Sequence, residues 1–261
     1  MSCDALQVYR GLEVLTGAPS AEEHARLEHR LIGIADPREE FTAGRFAELA
    51  RHEVDALLAE GRRPIVVGGT GLYMRAALAD IELRPPVDPA IRGAVEREIA
   101  EQGAESLHAE LEPEAAAAVH PNDRQRVARA VELQRSGLEP RPPGGGELWT
   151  ARLRHPTLLC GLVVDRDQLA RRIDARVDSM VAAGAADEVR RAEAAGASRT
   201  VRSAIGFEEL LAGDVDAMKL AQRRYARRQL TWMRKMPGVS LVDRADRGDD
   251  AIAAEIAPSL P

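Results

Sequence analysis

The sequence predicts an α/β protein, a parallel-sheet core interrupted by an inserted helical domain. Three observations carry this. Short continuous apolar runs, at residues 64–67 and 158–164, alternate with stretches of helical periodicity, as in a doubly wound sheet covered on both faces. The alternation stops at the proline-rich 84–89, after which only helices are predicted to about Ser136. It resumes at Leu158. The expected division is 1–84 and 153–261 for the core and 85–152 for the insertion.

Residues 1–8 read as a strand end running into a loop, and a domain rarely begins at a strand tip, so an upstream segment is expected to be missing. Ser20-Ala21-Glu22-Glu23 is a capping-box-like helix start. Residues 31–34 form a short strand candidate, stopped by Asp36-Pro37. Thr42 opens a helix with apolar positions Phe46, Leu49, Val54, Leu57 and Leu58, closed by Gly61. Strand 64–67 leads into Gly68-Gly69-Thr70-Gly71 and a helix to about Ala79. The insertion is predicted to hold helices at 91–102, 104–111 and 123–134, then a flexible Pro/Gly-rich loop at 140–146. After strand 158–164 two helices are expected, the first with Leu169, Ile173, Val177 and Met180 inward. A last short strand is placed at 239–242, with a frayed or weakly helical tail.

The composition is 45% hydrophobic but only 3% aromatic, so Ala, Leu and Val must fill the core. No apolar run approaches the length of a membrane span, and no charged start precedes an apolar stretch, so a cytoplasmic protein without membrane contact is expected. Cys3 and Cys160 lack metal-ligand spacing and are expected to be free, buried thiols. No metal-ligating residues are predicted. The net charge of −6 argues against a uniformly basic nucleic-acid binder, but the charge is segregated. Seven glutamates between 96 and 114 face only Arg97. Residues 218–236 contain no acid, against Lys219, Arg223, Arg224, Arg227, Arg228, Arg234 and Lys235. Such a local field can attract phosphates although the whole chain is anionic.

Four segments are candidates for chemistry. Gly68-Gly69-Thr70-Gly71 lies between strand and helix and serves either a tight turn or a phosphate contact at a helix N-terminus. No Gly-Lys-Ser/Thr follows, so it is not a Walker loop. Asp4 sits at the carboxyl end of the first strand, where open α/β sheets place ligands, or is a surface Asp in a turn. On helix 218–236, Arg223, Arg227 and Arg234 share one face, extended by Arg224 and Arg228, with Met218, Ala221, Tyr225, Trp232 and Met236 opposite. Uncompensated arginines in a row repel, which favours a bound anion over a merely solvated face. In His120-Pro121-Asn122-Asp123-Arg124-Gln125-Arg126-Val127-Ala128-Arg129, Asn122 or Asp123 can cap a helix whose Arg126 and Arg129 share a face. That helix is either an ordinary amphipathic one or a phosphate-backbone contact.

Together these segments resemble the tRNA dimethylallyltransferase family, the isopentenyl transferases that modify the adenosine next to the anticodon. The likeness runs in order through Asp4-Ala5-Leu6-Gln7-Val8-Tyr9-Arg10-Gly11, Val66-Val67-Gly68-Gly69-Thr70-Gly71-Leu72-Tyr73 and the His120–Arg129 segment. It continues through Ser203-Ala204-Ile205-Gly206-Phe207-Glu208-Glu209 and Arg223-Arg224-Tyr225-Ala226-Arg227-Arg228-Gln229-Leu230-Thr231-Trp232. The resemblance implies a P-loop-NTPase-like core, of the nucleotide- and ATP-binding type, that transfers a dimethylallyl group from its diphosphate to N6 of A37. It implies Asp4 as general base, and Thr70 and Arg223 on the diphosphate with Mg²⁺ sharing its charge. Gln7 would read the flipped adenine beside Asp4, Ala5 and Leu6. Gln125, Arg126, Val127, Ala128 and Arg129 would grip the anticodon stem-loop of the tRNA. Arg202, Ser203, Ala204, Ile205, Gly206 and Phe207 would line the RNA channel. A monomer is expected.

Three departures stand out. The family's opening Gly-Pro-Thr-x-x-Gly-Lys-Ser/Thr is absent, so the first strand and P-loop are expected to be missing. Ala5 replaces the Ser after the Asp, and Ala18 replaces the Lys before Pro19. The rival reading is an RNA-binding remnant without catalysis. A small-molecule kinase relative is a weaker third, since nothing in such an enzyme calls for the His-Pro-Asn-Asp segment.

Overall fold

The computed structural model describes residues 1–81, 83–139 and 152–260. In chain order the helices are α1 (Glu13–Thr16), α2 (Ala21–Arg26), α3 (Ala43–Ala59), α4 (Gly71–Leu78), α5 (Pro89–Gln102), α6 (Ala104–His108), α7 (Pro113–Ala118) and α8 (Arg124–Arg135). Then follow β1 (Leu159–Val163), α9 (Arg166–Ala182), α10 (Ala185–Ala194), α11 (Arg199–Arg202), α12 (Phe207–Leu211), α13 (Val215–Lys235), β2 (Val239–Asp243) and α14 (Asp249–Ile256). The chain forms two compact units, Met1–Ile81 with Leu148–Pro261, and Glu82–Glu147. The fold is α/β, mostly helical, with a small parallel sheet.

In the larger unit β1 and β2 pair in parallel, Leu159 opposite Val239 through Val163 opposite Asp243, with α9 to α13 as the crossover. Five helices fill that crossover where two were expected. A second parallel strip forms where residues 1–3 run beside 65–67. Met1 N donates to Ile65 O (2.9 Å), Val67 N to Met1 O (3.0 Å) and Cys3 N to Val67 O (2.7 Å). Residues 64–67 therefore make one isolated bridge, Val67 with Ser2, rather than a full strand. Nor are they covered on both faces: Val66 packs on the core, while Ile65 and Val67 are 66% and 65% exposed. The predicted strand 31–34 does not form. Leu31 and Gly33 both have left-handed backbone, which breaks extension, and only Ala35 bridges Tyr9.

Local chemistry sets the helix starts. Ser20 and Glu23 close a capping box on α2, and the Thr42 side chain accepts from Arg45 N at the head of α3. Helix α3 turns Phe46, Ala47, Ala50, Val54 and Leu57 inward, and the Phe46 ring meets Tyr73 of α4 at 4.6 Å. The smaller unit packs α5, α6 and α8 around Val95, Ile99, Leu107, Leu111, Val127 and Val131. Asp123 is the residue that caps α8. Helix α7 was not foreseen; Pro113 at its first turn starts it. The loop predicted at 140–146 lies outside the described residues. Among the described residues no helix is long and apolar enough to cross a membrane.

The two thiols differ, contrary to expectation. Cys3 is fully buried, and burial pushes its thiol far above the usual range. Cys160 on β1 is exposed, because the sheet face that carries it is uncovered. Iodoacetamide at about pH 8 should therefore give one adduct on the native protein, at Cys160, and a second only after denaturation. Peptide mass mapping checks this; comparable labelling of both thiols would contradict the buried position of Cys3.

Candidate active site

Asp4 ends the strip formed by residues 1–3. Its Oδ1 accepts from the N–H groups of Leu6 (2.8 Å) and Gln7 (3.2 Å), so the carboxylate turns the chain as it leaves the strip. Ser2 Oγ donates to Gln7 Oε1 at 2.8 Å, and Gln7 Nε2 donates to the carbonyls of Thr16 (3.3 Å) and Gly17 (3.1 Å). Both ends of the Gln7 amide are thus engaged within the protein, holding the last turn of α1. The first turn of α1 is held by Glu188 of α10, almost wholly buried, whose two oxygens accept from Val14 N (3.0 Å) and Leu15 N (2.8 Å). Ala5 and Leu6 are half-buried and pack on the core. Tyr73 lies close by. Burial, followed by the charges of Tyr9, Asp4 and Cys3, pushes its phenol well above the ordinary range.

The next parallel segment ends in Gly68-Gly69-Thr70-Gly71. None of its glycines has a positive φ, so backbone freedom does not explain them. Space does. A Cβ on Gly68 would lie 2.2 Å from Cys3 O, one on Gly69 1.9 Å from Gln229 Nε2, and one on Gly71 1.2 Å from the Trp232 ring. The first contact sets this loop against the Cys3 carbonyl, immediately before Asp4, so Asp4 and the glycine loop occupy the carboxyl ends of neighbouring parallel segments. The other two contacts come from α13. Gln229 Nε2 donates to Gly69 O at 3.2 Å, and the Thr70 and Tyr225 hydroxyls are 3.2 Å apart.

Arg223, two residues before Tyr225, faces elsewhere. Its Nε and Nη2 donate to Oδ1 and Oδ2 of Asp174 on α9, both at 2.9 Å. One turn earlier Lys219 pairs with Asp178 of α9 at 2.6 Å. The basic row is therefore compensated at these two positions, by acids on the neighbouring helix. Arg224, Arg227, Arg228, Arg234 and Lys235 are exposed and make no ion pair among the described residues, and Arg228 lies over the Tyr225 ring at 5.6 Å. A cleft of about 520 Å³ at the carboxyl ends of β1 and β2 includes Asp165, Asp243 and Asp246 with Arg171 and Arg234. That mixed lining offers no excess of positive charge to a diphosphate.

In the smaller unit Gln125 and Arg126 are exposed on α8, and Arg126 pairs with its neighbour Asp123 at 3.1 Å. Val127 is fully buried in that unit's core, so its side chain offers no surface contact, and Ala128 is half-buried. Arg129 donates to Pro85 O (2.7 Å) and pairs with Glu132 (3.1 Å), which makes it an internal brace. In 202–207, Arg202 pairs with Glu193 and Glu208 and lies over the Phe207 ring. Ser203 is exposed, Ile205 half-buried, and Ala204, Gly206 and Phe207 buried. Gly206 has φ +100° and sits against Met218. This segment is a packed helix corner that exposes only part of its length.

Sequence reasoning missed Asp174, Asp178, Glu188 and the role of Gln229. The four-residue spacing of Asp174 and Asp178 matches that of Lys219 and Arg223, a usable signal once two neighbouring helices are suspected. Glu188 gives none, since a buried carboxylate on an otherwise polar helix looks like any surface acid. Among the described residues no group of three His, Cys, Asp or Glu side chains could hold a metal ion.

The family model described as IPP transferase matches residues 7–236. The tRNA dimethylallyltransferase of Anaeromyxobacter sp. (strain K) is 42% identical over 259 residues, covering 93% of this chain and 83% of the relative. That of Geobacter sulfurreducens is 39% identical over 257 residues, with 93% and 83% covered. The solved full-length tRNA isopentenylpyrophosphate transferase from Bacillus halodurans superposes with a TM-score of 0.70 at 34% identity, covering 99% of this chain and 85% of that one.

The Glu188 clamp has a measurable consequence. Glu188→Ala leaves two N–H groups of α1 without partners, at a cost of about 2–5 kcal/mol. Glu188→Gln keeps one acceptor and should cost less. Urea unfolding checks both; wild-type midpoints would show that α1 does not depend on this carboxylate.

Proposed function

The chain belongs to the IPP transferase family, and on that premise we propose that it transfers a dimethylallyl group from dimethylallyl diphosphate to N6 of A37 in tRNA. The observation that carries the reading is the placement of Asp4 and Thr70 at the carboxyl ends of neighbouring parallel segments. In the proposed step the N6 lone pair attacks C1 of the allyl group. The C1–O bond breaks, diphosphate leaves with the electron pair, and the N6 proton passes to the Asp4 carboxylate. Thr70 donates its hydroxyl to the diphosphate. Arg223 is turned to Asp174 rather than toward Thr70, so a share in holding the diphosphate would require it to leave that pair. Among the described residues no acidic side chains form a cage for Mg²⁺, which would arrive as part of the diphosphate substrate, held mainly by phosphate oxygens.

The tRNA would be gripped by exposed cations in each unit: Arg126 beside Gln125 on α8, and Arg224, Arg227, Arg228 and Arg234 on α13. Recognition of adenine by Gln7 would require its amide to exchange an internal partner for the base. We read the protein as a cytoplasmic monomer and the core as P-loop-NTPase-like. The last point is supported by the parallel pairing of β1 with β2 and of residues 1–3 with 65–67. No Gly-x-x-x-x-Gly-Lys-Ser/Thr occurs within residues 1–261, so a test on these residues alone leaves the diphosphate to Thr70 and Mg²⁺, with Arg223 available only if it leaves Asp174. Several charge-assisted hydrogen bonds are then lost, and the donor should bind roughly several powers of ten more weakly than in a chain with such a loop.

The test is a transfer assay with Mg²⁺, dimethylallyl diphosphate and an A37-containing anticodon stem-loop, on this chain and on one extended by a Gly-Pro-Thr-x-x-Gly-Lys-Ser segment. Slow transfer by the first, faster by the second, and a loss of about 10²–10⁴ on Asp4→Asn are expected. Stem-loop binding without transfer in either form would favour the RNA-binding remnant. Arg227→Gln and Arg228→Gln should each lower the salt dependence of stem-loop binding by about one ion or less. An unchanged salt slope in both would remove α13 from the RNA contact.

A further inference from the structure

Three residues on one face of α13 meet three successive residues of the glycine loop. Gln229 holds the Gly69 carbonyl, Tyr225 meets the Thr70 hydroxyl, and the Trp232 ring lies on Gly71. Their spacing, i, i+4 and i+7, is that of one helical stripe. Thr70 is the residue that begins α4, where a threonine normally turns its oxygen to the first free N–H groups of its own helix. Here it makes no such bond. Its hydroxyl meets Tyr225 instead.

We propose that Tyr225 is a positioning residue for the transfer reaction: from α13 it holds the Thr70 hydroxyl out of the capping position and aimed at the donor's diphosphate. Gln229 and Trp232 fix the backbone on either side. The proposal rests on the reading of Thr70 as a diphosphate ligand. A phenol donates more readily than an alkyl hydroxyl, so with an anion present the favoured chain runs from Tyr225 to Thr70 to phosphate. Each bond in it polarises the next. The Arg228 guanidinium over the Tyr225 ring draws electron density from the phenol and strengthens that donation. Without the phenol, Thr70 is free to rotate and cap α4, which satisfies the helix and removes the donor from the site.

This separates positioning from mere packing. Tyr225→Phe keeps the ring and should lower kcat/KM for dimethylallyl diphosphate about tenfold to a hundredfold, the loss of one charge-assisted hydrogen bond. Stem-loop affinity should stay at the wild-type value, and the thermal midpoint should hold or rise as Thr70 takes up the cap. Thr70→Val should lose at least as much, and the double variant no more than Thr70→Val alone. Single-turnover transfer with protein in excess gives the rates, and calorimetric titration with inorganic diphosphate gives a second cycle on binding. Wild-type kinetics for Tyr225→Phe, losses that multiply in the double variant, or a fall in midpoint that accounts for the lost activity would each overturn the proposal. If Thr70→Val itself changes neither transfer nor diphosphate binding, or if the wild type does neither, the assignment of Thr70 fails and this inference falls with it.

Discussion

A helix can lie against a turn of backbone only where the turn has no side chains to hold it off. The contact between α13 and Gly68-Gly69-Thr70-Gly71 is such a case, and the candidate site is organised around it. Three glycines admit the Cys3 carbonyl, the Gln229 amide and the Trp232 ring in turn. The one residue in the loop with a side chain, Thr70, reaches the Tyr225 hydroxyl of α13. Asp4 is placed by the same arrangement, since the strip that ends in Asp4 runs beside the segment that ends in the loop. A side chain at Gly71 would collide with the Trp232 ring of α13, and one at Gly69 would push the Gln229 amide off the loop.

Charge is handled differently on the three sides of α13. Toward α9 it is neutralised, Lys219 by Asp178 and Arg223 by Asp174. Toward the glycine loop it is replaced by Tyr225, Gln229 and Trp232. Only the remaining side keeps arginines in water, and from residue 218 onward it holds no acid. A helix that read in sequence as one basic stripe is a structural ion-pair seam, a packing face and a free cationic face in one. The pairs to α9 are partly exposed and contribute modestly to stability, but they fix which arginines remain available.

The alternation of apolar runs and helices was enough to place β1, β2 and the helical run between them, because strand burial and helical periodicity are local properties. Residues 64–67 read as a strand on the same grounds, yet a strand also needs edge partners distant in sequence, and among the described residues Val67 bridges only Ser2. Leu31 and Gly33 adopt left-handed backbone, which an apolar run does not announce. For the candidate site, Asp4, Thr70 and the arginine helix could be picked out as chemistry-bearing. That Arg223 faces Asp174, that Arg129 braces the chain at Pro85 and that Val127 is core could not, because each depends on an element distant in sequence. The glycine loop was read as either a turn or a phosphate contact. Its glycines are explained by what packs on them, which no local pattern contains.

The hydrogen bonds that shape the loop join residues 155 and 160 positions apart. A contact of that range closes late, since most of the chain must be ordered before it repays the entropy of closure. During synthesis the strip, the loop and the whole smaller unit leave the ribosome well before Tyr225 and Trp232 do. The nascent protein therefore passes through a long interval in which Asp4 and Thr70 exist without the helix that arranges them. The site is completed only by a helix made long after the residues it arranges.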